Sequence, residues 1–431
     1  MKNQPKNKLK PIFIRIKQSK LAKDSFWAVF GNGLGYVMLL FAGIIIARFL
    51  EKDLYGEYGV VKTTMLYIAG FATMGLGITS TKYIAEYFKK DQSQLKSLAH
   101  DALFITLIGS CIISIILFMF ARPLALYLNT PSLIFPFRIL GILIVCKAIN
   151  TTQNGILAGF SNFKIIARNN VICGLFMLIA CIPMTYFYGL TGALGALLSS
   201  QVINCILNQF SLNKILSKLE NQVKISRKKE LLLFSIPIAL QESTYTISNW
   251  GGSLLLVKFS SVGELGIFSA ASQWNAIITF VPGLLYNVVL SYLSSNADNK
   301  SAHDNTIKKM LSINLACTLI PFAIVYILAG WITSFYGETF DGMKDVLRVY
   351  TLCTVFNCCG NVFSSEFIVR HRNWLLMTIR VSRDVLLLIS AAIILNICHG
   401  ENGAMVYASI ITVLSALYIL LLAVLYHYKL K

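Results

Sequence analysis

The feature that most constrains this chain is a series of long apolar runs that recurs from one end to the other. A run of roughly twenty apolar residues forms a helix long enough to cross about 30 Å of hydrocarbon. Only 13% of the residues are charged, against about 25% in an average soluble domain, so the chain cannot face water all round. We predict an all-α membrane protein with twelve transmembrane spans, at 26–48, 59–80, 101–121, 134–158, 169–188, 192–213, 231–257, 266–294, 310–334, 346–369, 379–398 and 404–427.

The 38 Lys and Arg residues are distributed unevenly over the segments that join the spans. With the N-terminus in the cytoplasm, the cytoplasmic segments carry 29 of them, the opposite side carries six, and three lie inside spans. This is the asymmetry of the positive-inside rule. It accounts for the net charge of +19 without any nucleic acid. Both termini are then cytoplasmic, which agrees with an even number of crossings.

Two sequence echoes divide the chain into halves. Leu54–Val60 (LYGEYGV) is similar to Ser261–Ile267 (SVGELGI), 207 positions later, and Gly189–Leu194 is similar to Gly400–Met405, 211 positions later. Each half has six crossings that start on the same side of the membrane. We therefore expect two six-helix bundles related by a pseudo-two-fold axis along the membrane normal.

This organisation predicts four parts. They are a basic cytoplasmic segment at 1–25, an N-terminal bundle at 26–213, a cytoplasmic linker at 214–230 that should form a short amphipathic helix, and a C-terminal bundle at 231–431. Two bundles that meet at such an axis leave a cleft between them, where transporters of this kind bind substrate.

Several motifs in order resemble those of bacterial polysaccharide-export proteins. They are Ala47–Leu50 with Tyr55–Gly59, Thr81–Tyr87 after span 2, and Gly189–Gly195 between spans 5 and 6. Over essentially its whole length the chain resembles the O-antigen flippases (Wzx-type) of the multidrug/oligosaccharidyl-lipid/polysaccharide exporter superfamily. One departure is Glu51-Lys52, where that family often has Gly-Pro.

The resemblance implies a MATE-like fold in the bacterial inner membrane. It also implies a function in O-antigen, lipopolysaccharide or related polysaccharide biosynthesis. Such proteins move an undecaprenyl-diphosphate-linked oligosaccharide from the cytoplasmic to the periplasmic leaflet by alternating access. The implied partners are this lipid-linked oligosaccharide and membrane lipids, with contacts to a polysaccharide polymerase and a chain-length regulator left open. No cofactor, metal or nucleic acid is expected.

A diphosphate-sugar headgroup needs a polar and preferably cationic path, because a bare anion is costly in hydrocarbon. Polar stripes on spans 4, 7 and 10 must face protein, water or a cavity rather than lipid. We predict that a substrate cavity is lined by Arg48, Lys62, Lys147, Asn150, Asn154, Asn249, Asn357 and Asn361. Lys147, near the middle of span 4, is the strongest candidate for a cavity-facing cation. For the asparagines, hydrogen-bonded seams between helices are the alternative interpretation.

Glu242 in span 7 is the other deep charge. It is the candidate for binding a coupling proton or sodium ion, and neutralisation of Lys147 is the equally weighted alternative. Arg380 and Asp384 in span 11 are four residues apart, a spacing that predicts an ion pair on the helix surface.

Two other function classes compete with glycan export. A cation-coupled multidrug antiporter of the same superfamily should carry an excess of deep carboxylates, whereas this interior has Lys62 and Lys147 against Glu242. A membrane-embedded glycan-assembly enzyme ranks lower, because no predicted loop exceeds about twenty residues and no Walker, His-Glu-x-x-His or Gly-x-Ser-x-Gly motif occurs. We therefore expect a transporter and no enzymatic activity.

Overall fold

A computed structural model describes residues 31–219, 227–295, 300–370, 372–398, 400 and 402–429. These residues form eleven α-helices and no β-strand, which confirms the all-α class. The helices are α1 (Asn32–Ala72), α2 (Leu76–Lys90), α3 (Leu95–Tyr127), α4 (Ile134–Gly159), α5 (Phe163–Leu216), α6 (Lys228–Phe259), α7 (Val262–Ser295), α8 (Lys300–Ser334), α9 (Met343–Val369), α10 (Asn373–Ile397) and α11 (Gly403–Lys429).

Two long helices are bent, and each supplies two spans. The backbone leaves helical geometry at Glu51 in α1 (φ 58°) and at Gly189 in α5 (φ 54°). Thus α1 forms span 1 and the outer part of span 2, α2 completes span 2, and α5 forms spans 5 and 6. Helices α3, α4 and α6 to α11 form spans 3, 4 and 7 to 12, which confirms the predicted twelve crossings.

Length and composition identify seven of the described helices as able to cross a membrane, and both bent helices are among them. Span 2 differs from the continuous helix that its sequence predicts. Met74 (φ 49°) and Gly75 (φ 72°) interrupt it between Ala72 and Leu76. The positive φ at Glu51 stands where the resembled family often has glycine, the residue that adopts this conformation without strain.

The structural elements repeat at nearly the same offset as the sequence echoes. The short 3₁₀ helices Pro131–Leu133 and Glu338–Phe340 start 207 residues apart, and α4 and α9 start 209 residues apart. Gly189 and Gly400, 211 residues apart, both have positive φ, at 54° and 76°. The repeat therefore covers spans, turns and bends alike.

The predicted boundaries of the four parts remain predictions. Residues 1–30 and 220–226 lie outside the described residues, so the basic N-terminal segment and the middle of the linker have no structural account. Lys214 still belongs to α5, and Lys228 already belongs to α6.

The hydrophobic core differs between the two ends of the molecule, which we name outer and cytoplasmic from the charge distribution. At the outer end, one cluster of buried side chains runs across the seam between the halves, from Val60 and Phe137 to Leu265 and Phe340. At the cytoplasmic end, one cluster joins the N-terminal half to Leu231 at the start of span 7, and two further clusters lie within the C-terminal half. The described clusters therefore join the halves broadly at the outer end, and at the cytoplasmic end through the first residues of span 7.

The two copies of the first repeat pack directly against each other in the outer seam. A Cβ atom on Gly56 would lie 1.9 Å from the carbonyl oxygen of Val262, and one on Gly266 would lie 2.3 Å from the carbonyl oxygen of Lys52. Only glycine permits this approach of two backbones. At the cytoplasmic end, Thr79 and Ser235 share a hydrogen bond of 2.7 Å between spans 2 and 7.

Candidate functional site

Lys147 lies on the face of span 4 that points into the N-terminal bundle. Ile142, about 140° around the helix, is 56% exposed and marks the outward-facing side. On the inward face, Leu140 is fully buried at the outer end, whereas Lys147, Thr151 and Asn154 are only half-buried towards the cytoplasm. The inward face of span 4 is therefore covered near the outer end and open near the cytoplasmic end.

The Lys147 ammonium group has no hydrogen-bond or ion-pair partner among the side chains that the structure describes. The thiol of Cys205 on span 6 contacts the backbone beside Lys147, where it donates to the carbonyl oxygen of Cys146 at 3.2 Å. A cation in a membrane interior normally pairs with a carboxylate or a ligand. Lys147 therefore offers an unneutralised positive charge to whatever enters the open part of this face.

Side-chain amides form a network beside Lys147 that joins spans 4, 5 and 6. Asn208 donates to Asn154 over 3.2 Å and accepts from Asn169 at 2.8 Å, and Asn169 also reaches Ser211 at 3.4 Å. The Asn169 side-chain oxygen also accepts from the exposed Arg168 guanidinium at 3.3 and 3.4 Å. The bonds between the helices are thus formed by neutral groups, which fix the rotation of three helices.

A second chain of amides extends the network to span 1. Asn204 donates to Asn170 over 3.3 Å, and Asn170 donates to Asn32 over 2.8 Å. The Asn204 side-chain oxygen is buried and has no hydrogen-bond partner in the part of the chain that the structure describes. Amide groups from four spans thus line the cytoplasmic half of the N-terminal bundle.

The predicted site residue Asn150 belongs to the packed contact between spans 4 and 6. It is 1% exposed and donates to both the backbone oxygen and the side-chain oxygen of Gln201, at 3.0 and 3.1 Å. This is the interhelical seam that was the alternative interpretation. The polar residues of span 4 therefore differ in their surroundings. Asn150 is packed between spans 4 and 6, whereas Asn154 lies at the half-buried edge of the same face.

The other two predicted cations lie nearer the outer end. Lys62 is half-buried on span 2, with its ammonium nitrogen 5.9 Å from the ring centroid of Tyr58. Arg48 is exposed at the outer end of span 1. It borders a cavity of about 620 Å³ whose other walls come from the C-terminal half and include Glu338, Asp341 and Asp345. Lys62 and Lys147 thus lie in the interior, whereas Arg48 lies at the outer rim.

The predicted residues of the C-terminal half lie on spans 7 and 10. Asn357 and Asn361 are half-buried, on the side of span 10 opposite the exposed Leu352. Asn249 is half-buried on span 7, where its backbone oxygen accepts from Ser253 at 2.9 Å. The side chain of Glu242 lies outside the described residues, so its role as a coupling site or structural charge remains a prediction.

Charged side chains in the cytoplasmic half of the C-terminal bundle are paired. Asp384 is buried and accepts from Arg383 at 2.6 Å, and the fully buried Glu366 accepts from Arg370 at 2.9 Å. Arg380 donates to the Tyr418 hydroxyl over 3.4 Å. The predicted surface pair of Arg380 with Asp384 is therefore wrong, because Asp384 is buried and takes the guanidinium of the adjacent residue.

The amides of span 6 were missed as site residues, although their spacing could have revealed them. Gln201, Asn204 and Asn208 are separated by three and four positions, which places them on one helix face. The same face contacts Asn150, Asn170 and Asn154.

Among the described residues, no group of three or more His, Cys, Asp or Glu side chains is placed to hold a metal ion.

Comparisons with known proteins place this arrangement in a family. A profile of the polysaccharide biosynthesis protein family matches residues 45–325. The succinoglycan biosynthesis transport protein ExoT of Rhizobium meliloti (strain 1021) is 21% identical over 288 residues, which cover 63% of this chain and 54% of that protein. The chain therefore spans about half the length of this curated relative.

Two solved structures share the fold. The inward-facing conformation of a multidrug resistance MATE family transporter of the MOP superfamily matches with a TM-score of 0.75 and 16% identity, over 92% of this chain and 96% of that one. The lipid II flippase MurJ, in an inward closed conformation, matches with a TM-score of 0.69 and 16% identity, over 93% of this chain and 87% of that one. The expected MATE-like arrangement of two six-helix bundles is thus confirmed.

The family profile covers well over half of the chain, from span 1 into span 9. It confirms the resemblance that the motifs around Tyr55 and Gly189 indicate, and it assigns this multi-pass membrane protein to glycan biosynthesis. The chain belongs to the polysaccharide biosynthesis protein family.

Proposed function

We propose that this protein moves an undecaprenyl-diphosphate-linked oligosaccharide, the unit of O-antigen or a related polysaccharide, from the cytoplasmic to the periplasmic leaflet. The family and the name of the succinoglycan transport relative support a glycan cargo. Lys147 carries the proposal, because this interior cation has no described partner and stands at the open edge of an amide-lined bundle.

The chemistry of Lys147 and its surroundings fits such a headgroup. An unpaired charge in a membrane interior is costly, and a ligand of opposite charge removes that cost. A diphosphate supplies the negative charge. The amides of Asn154 and Asn204 are suited to sugar hydroxyls, since an amide both donates and accepts hydrogen bonds. Lys62, higher on the same side, gives the anion a second position towards the outer end.

Transport by alternating access is supported by the distribution of the core. Apolar packing joins the halves broadly at the outer end, whereas at the cytoplasmic end the described clusters join them only through the first residues of span 7, including Leu231. In this form a ligand would enter from the cytoplasm. A rocking motion of the two halves would then expose Lys147 and the amides to the other side.

The orientation and location belong to the same proposal. The excess of Lys and Arg in the segments named cytoplasmic supports cytoplasmic termini and a bacterial inner membrane. A polysaccharide polymerase and a chain-length regulator are the partners expected to act on the exported unit. We also propose that the protein is a transporter and has no enzymatic activity of its own.

Export of cationic drugs has weaker support. A pocket for cations needs a carboxylate that can pair with the ligand. The described buried carboxylates all have partners: Glu366 and Asp384 are each bonded to an arginine at 2.9 and 2.6 Å, and Asp101 accepts from the backbone N–H of Arg227 at 2.9 Å. Coupling through Glu242 is compatible with either cargo.

Replacement of Lys147 tests the proposal. We expect Lys147→Ala to abolish surface polysaccharide in cells while the protein stays in the membrane. With a purified lipid-linked oligosaccharide, binding should weaken by about 2 kcal/mol or more, roughly thirtyfold, because the anion loses its charged partner. Lys147→Arg should retain most of the binding, since the charge remains.

The matched control is Arg138→Ala. Arg138 lies on the same helix, about 180° from Lys147, and is exposed with its guanidinium carbon 5.7 Å from the ring centroid of Phe118. The Arg138→Ala substitution should leave both export and binding of the lipid-linked oligosaccharide unchanged. Normal polysaccharide display in the Lys147→Ala strain, or equal losses in both variants, would contradict the proposal.

A further inference from the structure

The outer end of the seam is filled by a cluster of amphipathic side chains from both halves. We call it the outer plug, and its members are Tyr55, Tyr58, Gln273, Trp274, Tyr336 and Phe340. Tyr55 and Tyr58 come from span 2, and the others come from span 8 and the turn between spans 9 and 10. Tyr55, Tyr58, Tyr336 and Phe340 are among the largest side chains that are fully buried.

Ring contacts and hydrogen bonds connect the plug across the seam. The Tyr55 ring lies 5.7 Å from that of Phe340, and the Tyr55 hydroxyl accepts a hydrogen bond from the side-chain amide of Gln273. Within the C-terminal half, Trp274 donates to the Tyr336 hydroxyl over 3.0 Å. Tyr55 is thus held by partners that belong to the other half of the protein.

The plug is richer in amphipathic side chains than the N-terminal bundle at the same depth. The outer core of that bundle is mostly apolar, with side chains such as Ile46, Val61 and Leu140 beside the buried Thr185. Tyrosine and tryptophan tolerate both burial and contact with water, because they carry a polar atom on an apolar ring. Separation of the plug would therefore cost less than separation of the bundle core.

The closed plug also leaves one polar atom unsatisfied. The side-chain oxygen of Gln273 is buried without a hydrogen-bond partner among the described residues. A buried acceptor without a donor costs about 1–3 kcal/mol, and water would supply the missing hydrogen bond once the plug opened. This cost brings the closed and open forms closer in free energy, as a reversible gate requires.

We propose that the outer plug is the outer gate of the transport path and that Tyr55 must separate from Gln273 and Phe340 in every cycle. The inference rests on the proposed export function, for which it names the residues that open. Lys62 is seven residues after Tyr55, on the same side of span 2 and on the cytoplasmic side of the plug. An anion held there would be released outward only when the plug opens.

A reversible cross-link tests whether the plug opens. A Cβ atom on Gly59 would lie 3.2 Å from the Cβ atom of Ser269 across the seam, close to the roughly 3.5–4.5 Å that a disulfide spans. In the variant G59C/S269C, oxidation should reduce transport of a lipid-linked oligosaccharide in proteoliposomes about tenfold or more, and dithiothreitol should restore it. Unchanged transport by the oxidised, cross-linked protein would overturn the proposal.

The chain offers a matched control within one bundle. A Cβ atom on Gly141 would lie 3.6 Å from the Cβ atom of Ser114, between spans 3 and 4. Oxidised S114C/G141C should transport at the rate of its reduced form, because the bundle moves as a unit. Equal inhibition by both cross-links would also overturn the assignment of the gate. The single-cysteine variants and the parent report any cross-linking of the ten native thiols.

A labelling experiment separates this inference from the identity of the cargo. Tyr55 is 1% exposed, whereas its neighbour Leu54 is 43% exposed. In spheroplasts, a membrane-impermeant maleimide should label Leu54→Cys at once and Tyr55→Cys more slowly, as the plug opens. Lasting protection of Tyr55→Cys would overturn the gate even if G59C/S269C failed to accumulate. Failure of the parent to transport the glycan, with Tyr55→Cys labelled, would instead contradict the cargo.

Discussion

The interiors of the two halves are built on the same repeat but handle charge in opposite ways. Asn169 in the N-terminal half and Arg380 in the C-terminal half are 211 residues apart, the offset of the repeat in this region. Asn169 bonds to the neutral amide of Asn208 at 2.8 Å, and Arg380 bonds to the hydroxyl of Tyr418 at 3.4 Å. At this position of the repeat, one bundle therefore holds an amide, which also accepts from the exposed Arg168, and the other bundle holds a guanidinium.

The other interior charges also differ between the two halves in whether they are paired. In the C-terminal bundle, Arg383 and Arg370 each have a carboxylate partner, Asp384 and Glu366. In the N-terminal bundle, Lys147 has none among the described side chains. Paired interior charges hold helices in position, whereas an unpaired charge is available to a ligand. This difference supports the proposal that the ligand binds in the N-terminal half, and that the paired charges in this region of the C-terminal half are structural.

The largest effect should come from placing a carboxylate beside Lys147, as in the arginine–carboxylate pairs of the C-terminal bundle. The thiol of Cys205 on span 6 donates to the carbonyl oxygen of Cys146 at 3.2 Å, next to Lys147 on span 4. We expect Cys205→Asp to reduce export about tenfold or more, because an internal carboxylate competes with the anionic headgroup for the ammonium group. Export is measured as surface polysaccharide and as binding of the purified lipid-linked oligosaccharide.

Cys205→Asn is the matched control, since it changes the size and polarity of the side chain in the same way without adding charge. It should leave export near the parental level. If Cys205→Asp also exports normally while its protein level is unchanged, Lys147 is not the ligand-binding charge, and the contrast between the halves loses its functional meaning.

Much of this architecture follows from the sequence, because the membrane leaves few alternatives. A hydrocarbon environment requires every backbone group to be bonded within its own helix, so apolar runs predict spans directly. The repeated glycine motifs around Gly56 and Gly263 predicted two related halves, and the structure packs these same motifs against each other. The bend at Glu51 falls in the predicted loop between spans 1 and 2, whereas the break at Met74, inside predicted span 2, was not predicted, because methionine rarely adopts positive φ.

The candidate site was less accessible to sequence reasoning, because it depends on how the helices are rotated against one another. The stripe on span 4 was found, but its division into the buried Asn150 and the half-buried Lys147 depends on where spans 1 and 6 lie. The partner of Asp384 was predicted at four residues' distance, and the buried environment instead selected the adjacent Arg383. The amides of span 6 were missed since no charge drew attention to them.

Removal of one member of a paired charge in the C-terminal half should have the next largest effect. Asp384→Asn leaves the Arg383 guanidinium without its carboxylate in a buried setting, which we expect to lower the free energy of unfolding by about 3 kcal/mol. Thermal unfolding of the purified protein in detergent measures the change. The control is Glu230→Gln, because the carboxylate of Glu230 is much more exposed than that of Asp384 (42% against 9%) and its pair with Arg227 should contribute less than about 1 kcal/mol. Equal shifts in both variants would show that Asp384 is not a structural charge.

The smallest effect that still tests the contrast between the halves concerns the amide network that joins spans 4, 5 and 6. Asn208→Ala removes the acceptor of Asn169 and the donor to Asn154, whose hydrogen bonds measure 2.8 and 3.2 Å. Because Asn169 is fully buried, we expect a loss of about 1–2 kcal/mol in the free energy of unfolding. Asn213→Ala, which removes an exposed hydrogen bond with Gln209 on the same helix, should have almost no effect. If Asn208→Ala retains its stability and yet loses export, the amides bind the ligand directly, and the N-terminal bundle is a binding site throughout its network rather than at Lys147 alone.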